Sequence, residues 1–304
     1  MAATIVGIGE ALFDVFPTGA RKLGGAPLNF AVHANQLVRG LSGRGVAVSR
    51  VGTDDLGEEA FQALAQLGVD TSYVQRDPAH PTGQVLVGLS DTGQPEYTIE
   101  TGAAWDFLRF EEDITALAEN CDAVCFGSLA QRSPQSRETI RLFLSLAKDA
   151  IRLFDVNLRQ NWYGFPTLID SCGAATAIKL NIDELDILVD LFGFPREDGV
   201  QSFFHHFPID HVVLTRGELG TAIYTRSEAV EGEPASYPMT PEADAVGAGD
   251  ACAAAVVVGL LAKMPLAEIA RAANHVGAFV AASQGATPVL PSGIVTLFRL
   301  PTLG

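Results

Sequence analysis

The sequence predicts an α/β protein in which helices cover both faces of a mainly parallel sheet. Two observations carry that prediction. From Asp122 onward, short apolar runs alternate with helical segments of roughly 10–15 residues, a rhythm that implies crossover connections and therefore parallel strands. The chain has 304 residues, 48% hydrophobic and 18% charged, enough to enclose a large core in one domain over residues 1–304. It shows no internal repeat and no low-complexity stretch.

In chain order, residues 4–9 form a short apolar strand ending in Gly7-Ile8-Gly9. A dinucleotide-binding fingerprint would need a third glycine where Leu12 stands, so that reading is set aside. Glu10 to Phe16 continues as a second extended piece carrying Asp14, either a solvent-facing strand residue or an acceptor for two neighbouring hydroxyls of a ligand. Gly24-Gly25-Ala26-Pro27-Leu28-Asn29 opens a helix reaching about Val38, with Pro27 suited to the first turn. Residues 44–51 read as a strand, followed by a turn over 52–57 and a helix over 58–67 that stops at Gly68. Residues 84–90 and 95–100 flank Asp91-Thr92-Gly93-Gln94 as a hairpin.

The regular alternation then sets in. Residues 123–127 form a strand, and Ser133 is expected to cap a helix with Pro134 in its first turn, running to about Lys148. Strands follow at 151–155, 177–180 and 212–215, separated by helices, one of which ends near His206. Asp155, Asn181, Thr215 and Asp250 all fall just after strands or at helix starts. Open α/β sheets bind their ligands beyond the carboxyl ends of the strands.

The strongest chemical signal is Asp244-Ala245-Val246-Gly247-Ala248-Gly249-Asp250, a polar glycine turn running into an apolar helical segment. Glycines bring a ligand close to bare peptide N–H groups, and the helix start leaves N–H groups unpaired and partly positive. Together they make a seat for phosphate. Asp250 repels a bound anion there, but it can accept a proton from a hydroxyl attacking phosphorus. The plainer alternative is a helix-start aspartate beside a glycine loop. The helix dipole favours its ionised form, so a carboxylate is expected at neutral pH.

The net charge of −16 opposes binding to nucleic acid or an anionic membrane. Cys121, Cys125, Cys172 and Cys252 read as reduced and mostly buried, the six histidines show no metal spacing, and no run is long enough to span a membrane. The chain enters a strand at once without a signal-like segment, so a cytoplasmic protein is expected.

Residues 244–250 resemble the DTxGAGD signature of the ribokinase (PfkB-type) sugar kinases, with Ala245 in place of Thr. Gly24 to Asn29 resembles that family's GGAPxN, more than 200 residues earlier and in the expected order, and Glu10 to Asp14 with its preceding glycine matches GEALxD of the fructokinase-like branch. The resemblance covers about residues 5–287. It implies a ribokinase-like three-layer α/β/α sandwich with a small β-sheet lid formed from about 10–24 and 82–104.

It also implies ATP and Mg²⁺, with transfer of phosphate to a primary sugar hydroxyl. Fructose comes first, and 2-keto-3-deoxygluconate, ribose, a nucleoside or a catalytically silent sensor are the alternatives. Asp250 would be the base, Gly247, Ala248 and Gly249 the anion turn, and Arg159 of Asp155-Val156-Asn157-Leu158-Arg159 (family DPNxR) would meet phosphate charge. Asp14, Gly25 and Asn29 would bind the sugar. Asn181 and Glu184 match NxxE, which helps place Mg²⁺ partly through water, while the same pair reads independently as a helix-capping box.

Thr215, Gly217 and Gly220 match TxGxxG beside the nucleotide, and Asn274 and Ala278 match positions bordering adenine. Residues 283–286 match a closing glycine segment. In the family a loop with Asp244 often holds a monovalent cation such as K⁺. Related enzymes often pair their lids in a homodimer. Their fructokinases often carry an Arg in the second lid strand, whereas Tyr97-Thr98-Ile99-Glu100 has none.

Overall fold

A computed structural model describes residues 3–39, 42–89 and 95–298. The larger sheet holds β1 (Thr4–Ile8), β4 (Arg44–Gly52), β5 (Asp70–Asp77), β8 (Ala123–Gly127), β9 (Ile151–Asp155), β10 (Ala177–Asn181), β11 (His211–Thr215), β12 (Thr221–Tyr224) and β13 (Ala229–Glu231). Their order is β13-β12-β11-β10-β9-β8-β1-β4-β5. The seven strands from β11 to β5 are parallel, and β12 and β13 add antiparallel at one end.

Strands β1, β8, β9, β10 and β11 each feed two cores by the two-residue alternation of a pleated sheet. Val6, Val124, Phe126, Phe154, Ile178 and Val212 join one cluster with α3 (Glu112–Asn120), α4 (Pro134–Leu146), α5 (Phe165–Ala174), α6 (Ile182–Phe192) and α7 (Gly199–His206). Ile5, Ala123, Cys125, Leu153, Ala177 and Val213 join the other, with α1 (Ala26–Val38), α8 (Ala248–Leu261) and α9 (Leu266–Ala281). The expected three-layer order therefore holds. Helix α8 is buried on nearly every side because Ala and Val fill it all round, and it packs between α1 and α9.

Chain order reverses between β1 and β8, since β1-β4-β5 runs one way and β8-β9-β10-β11 the other. Such a reversal opens a crevice at the carboxyl ends of the strands. A separate four-stranded sheet in the order β3-β2-β6-β7 adjoins it, made of β2 (Leu12–Val15), β3 (Arg21–Gly24), β6 (Gly83–Leu89) and β7 (Pro95–Ile99). The expected hairpin is present as the antiparallel pair β6/β7, and its turn at 90–94 lies outside the described residues.

Three local expectations need correction. Helix α2 (Asp55–Gln66) starts three residues before the predicted Glu58, because the Asp54 carboxylate accepts the Gly57 N–H at 2.8 Å and caps it. Ser133 precedes α4 without capping it, and its hydroxyl donates instead to the Asp106 carbonyl. Strands β3 and β5 and helix α3 were not anticipated. All four cysteines are buried and free, as expected.

Candidate active site

The site is assembled where α1 and α8 begin. The sequence Gly24-Gly25-Ala26-Pro27 turns from β3 into α1, and only glycine suits position 25: φ is +114° and an added Cβ would sit 2.3 Å from the Glu10 carbonyl oxygen. The tight turn brings Asn29, in the first turn of α1, against α8. Gly247 solves the same problem at the other helix, with φ +82° and the Ala286 carbonyl 2.3 Å from where its Cβ would be.

Asn29 and Asp250, 221 residues apart, meet directly: Asn29 Nδ2 donates to Asp250 Oδ2 at 2.8 Å in a buried contact. Around the turn, the Ala248 N–H points back to the Ala245 carbonyl at 3.3 Å. The N–H groups of Gly247, Gly249 and Asp250 have no hydrogen-bond partner among the described residues. The expected anion seat is therefore narrower than Gly247 to Asp250, with Ala248 already engaged.

A buried cluster of charges lies beneath this turn. Lys179 Nζ donates to Asp155 Oδ1 at 2.8 Å, and the same ammonium lies 3.3 Å from where a Gly249 side chain would begin. Burial opposes the Lys179 charge, but Asp155 outweighs it and holds the ammonium more firmly protonated than usual. Burial raises the Asp250 carboxyl to about 6, with the Asp155 charge adding to the rise and Asn29, Lys179 and Arg159 opposing it. The dipole expectation for Asp250 is thus outweighed in direction by burial, although the group is still mostly ionised at neutral pH.

Glu10, just past β1, is buried as well; one of its carboxyl oxygens, Oε2, has no partner. Burial chiefly, with the Asp250 charge contributing, raises it to about 7. Glu10 is therefore part-protonated near neutral pH.

Asp14 on β2 is half-buried, and its proton affinity is raised by burial and lowered by Lys22 and Arg159. Arg159 is exposed in the loop after β9, where its charge reaches Glu10, Asp14 and Asp250. On the other side of the Gly-Ala-Gly turn lies a cavity of about 680 Å³. Asn181, Thr215, Gly217, Gly220, Asn274 and Ala278 all line it, together with Asp244, Ala248 and Gly249 of the signature. Asn274 is fixed by donation from Nδ2 to the Glu233 carbonyl at 2.9 Å.

Glu184 stands behind Asn181 and not among the lining residues. Its carboxylate accepts the N–H groups of Leu158 (3.0 Å) and Asn181 (2.9 Å), and Asn181 Oδ1 accepts the Glu184 N–H at 2.8 Å. The capping-box reading is therefore fulfilled. Lys179, Glu10 and Lys22 were not singled out from sequence. Lys179 precedes the NxxE match by two positions, and Glu10 is the second residue of the GEALxD match, so the only available signal was a place in or beside a motif.

This arrangement, a buried carboxylate between an anion turn and a half-buried polar seat, is suited to moving phosphate onto a hydroxyl. The comparisons agree. The description "pfkB family carbohydrate kinase" matches residues 15–293, so the chain belongs to that family and is a sugar kinase. The fructokinase of Vibrio alginolyticus is 29% identical over 306 residues, covering 93% of this chain and 94% of that protein. A fructokinase from Xylella fastidiosa with bound ATP superposes with a TM-score of 0.85 at 24% identity, covering 98% of both chains. A fructokinase double mutant from Vibrio cholerae O395, bound to fructose, ADP and potassium ion, gives 0.76 at 24% identity, covering 98% of this chain and 99% of that one. The architecture is the ribokinase-like fold.

Proposed function

We propose that this sugar kinase transfers the γ-phosphoryl group of ATP to the primary hydroxyl of fructose, giving fructose 6-phosphate. The observation that carries this reading is the Asn29–Asp250 hydrogen bond, which joins the two signatures at one carboxylate beside the anion turn. ATP would occupy the 680 Å³ cavity, with Thr215, Gly217, Gly220, Asn274 and Ala278 around the nucleoside end and Gly249 at the phosphate end. The sugar would lie against Asp14, Gly25 and Asn29 under the small sheet.

As the sugar oxygen bonds to the γ-phosphorus and the bond from that phosphorus to the β-phosphate oxygen breaks, releasing ADP, Asp250 takes the hydroxyl proton. The bare N–H groups of Gly247, Gly249 and Asp250 receive the developing negative charge, and Arg159 adds a cation from the solvent side. Mg²⁺ fits the Asn181–Glu184 pair through water, because each carboxylate oxygen keeps a lone pair after accepting its backbone N–H. Bound there, the ion would offset phosphate charge. A monovalent cation at Asp244 would have to compete with Lys22, whose ammonium lies 2.9 Å from that carboxylate.

Fructose rests on the fructokinase relatives and the GEALxD match. The absence of Arg in Tyr97 to Glu100 keeps 2-keto-3-deoxygluconate, ribose and nucleosides in the comparison set. The test is ADP release with a panel of these acceptors. Fructose is expected to give the highest kcat/KM. A rival better by tenfold or so would replace it, and no ADP with any acceptor would favour the silent sensor.

Exposed Leu86 (43%) and Tyr97 (50%) on the small sheet support its pairing with a second copy as a homodimer. Light scattering at micromolar protein checks this, and a monomer would contradict it. Among the described residues no helix is long and apolar enough to cross a membrane.

A further inference from the structure

Arg159 is the cation placed against the transferred phosphate, yet little holds its side chain. Among the described residues its guanidinium reaches only the Leu158 carbonyl, at 3.4 Å. Its place is therefore set by the backbone on either side, and each neighbour is tied to a different part of the site. The Leu158 N–H donates to Glu184 Oε1 at 3.0 Å, on the nucleotide side. Gln160 Nε2 donates to the Tyr97 carbonyl of β7, in the small sheet over the proposed sugar seat. Trp162 Nε1 donates in turn to Gln160 Oε1 at 3.0 Å, so the amide is held at both of its ends.

The backbone bends on both sides of Arg159. Asn157 and Gln160 have φ of +38° and +49°, in the left-handed region that residues with side chains seldom enter. Such conformations persist where surrounding contacts over-determine them. A deeper anchor stands behind these contacts. Arg132, whose side chain is 5% exposed, lies between two tryptophans, its guanidinium carbon 4.0 Å from the centre of the Trp105 ring and 4.8 Å from that of Trp162. Its Nε and Nη2 each donate to the Asp106 carboxylate at 2.8 Å, and Nη2 also donates to the Glu100 carbonyl just after β7. One buried guanidinium thus joins the end of β7 to the tryptophan that steadies Gln160.

We propose that Gln160 and Trp162, backed by Arg132, are positioning residues that fasten the Arg159 loop to the small sheet. The strand over the sugar seat then also sets where the phosphate-facing cation stands. Without the Gln160 tie the loop is held from the nucleotide side alone, and exposed Arg159 gains conformations that point away from the phosphate.

The inference rests on the reading of Arg159 as a phosphate-facing cation, and a double-mutant cycle in kcat separates the two. Arg159→Met alone should lower kcat at least about tenfold. Gln160→Met keeps the length of an exposed side chain and removes both amide bonds. It should lower kcat about three- to tenfold, the scale of one lost hydrogen bond, with the KM for ATP within about twofold and the melting temperature nearly unchanged. In an Arg159→Met background it should change kcat by less than about twofold. Trp162→Phe keeps a ring over Arg132 and removes the donor to Gln160, so it should show a smaller loss with the same dependence on Arg159.

A wild-type kcat in Gln160→Met would overturn the proposal. So would a loss that keeps its size in the Arg159→Met background, because Gln160 would then act by another route. A wild-type kcat in Arg159→Met would remove the reading of Arg159 and this proposal with it.

Discussion

Asn29 Nδ2 lies 2.8 Å from Asp250 Oδ2 and is the neutral donor that holds this buried carboxylate. The bond fixes the direction of the free oxygen and favours the ionised form. Asn29→Ala should therefore do two things at once. The acid limb of the kcat profile should move to higher pH, and the sugar KM should rise, while the KM for ATP changes little. A profile that stays in place would show that Asn29 does not tune Asp250.

The pH dependence follows from the two acids. Asp250 must be ionised to accept a proton, and burial raises it to about 6. The rate should thus be full above neutral pH and fall as pH drops through about 6. Glu10, raised to about 7 partly by the Asp250 charge, is a second acid in the same buried cluster. Glu10→Gln removes a repelling charge at high pH and should leave Asp250 at or below its present value. The acid limb in Glu10→Gln should not rise. An acid limb shifted upward in that variant would contradict the picture of Glu10 and Asp250 as repelling neighbours.

Asp250 should also cost stability. A carboxyl raised in the folded state binds its proton more tightly there than in the unfolded chain. Its burden is absent below the unfolded value of about 4 and grows as pH rises through the folded value of about 6. Asp250→Asn removes that burden, and the Asn carbonyl can still accept from Asn29. The variant should be more stable at pH 7.5 by about 1–3 kcal/mol, with little difference at pH 4. Thermal melts at the two pH values check the sign. A variant less stable at pH 7.5 would contradict it.

Asp14→Ala tests the sugar seat. Removing a charged acceptor costs about 1.5–3 kcal/mol when it binds hydroxyl groups. That corresponds to a sugar KM higher by roughly tenfold or more, with the ATP KM nearly constant. Equal changes in both would remove Asp14 from the sugar seat.

Much of the site was legible because its signals are local. Gly247 and Gly249 at a helix start, Asn181 and Glu184 as a capping pair, and Pro27 after two glycines each carry their geometry in a few consecutive residues. The alternation after Asp122 carries the parallel sheet in the same way. What was not legible depends on approach across the chain. Lys179 meets Asp155 across neighbouring strands, Lys22 meets Asp244 across 222 residues, and Glu10 is charged or neutral only according to what buries it. The strand Arg21-Lys22-Leu23-Gly24 has no β-branched residue and exists because β2 offers an edge to pair with. The Asp250 proton affinity was legible only in part: the carboxylate expected at neutral pH stands, whereas the desolvation that raises its pKa cannot be read from sequence.

The mechanism turns on Asp250 accepting the proton during transfer. Asp250→Asn keeps the size of the side chain and removes the charge that accepts it. Steady-state kinetics with the best acceptor, paired with calorimetric titration of Mg-ATP, measures both halves of the claim. The expected kcat is lower by about 10²–10⁴, with nucleotide binding retained or slightly tightened. A variant that kept roughly a third of the wild-type kcat would reduce Asp250 to a helix-start residue and contradict the mechanism.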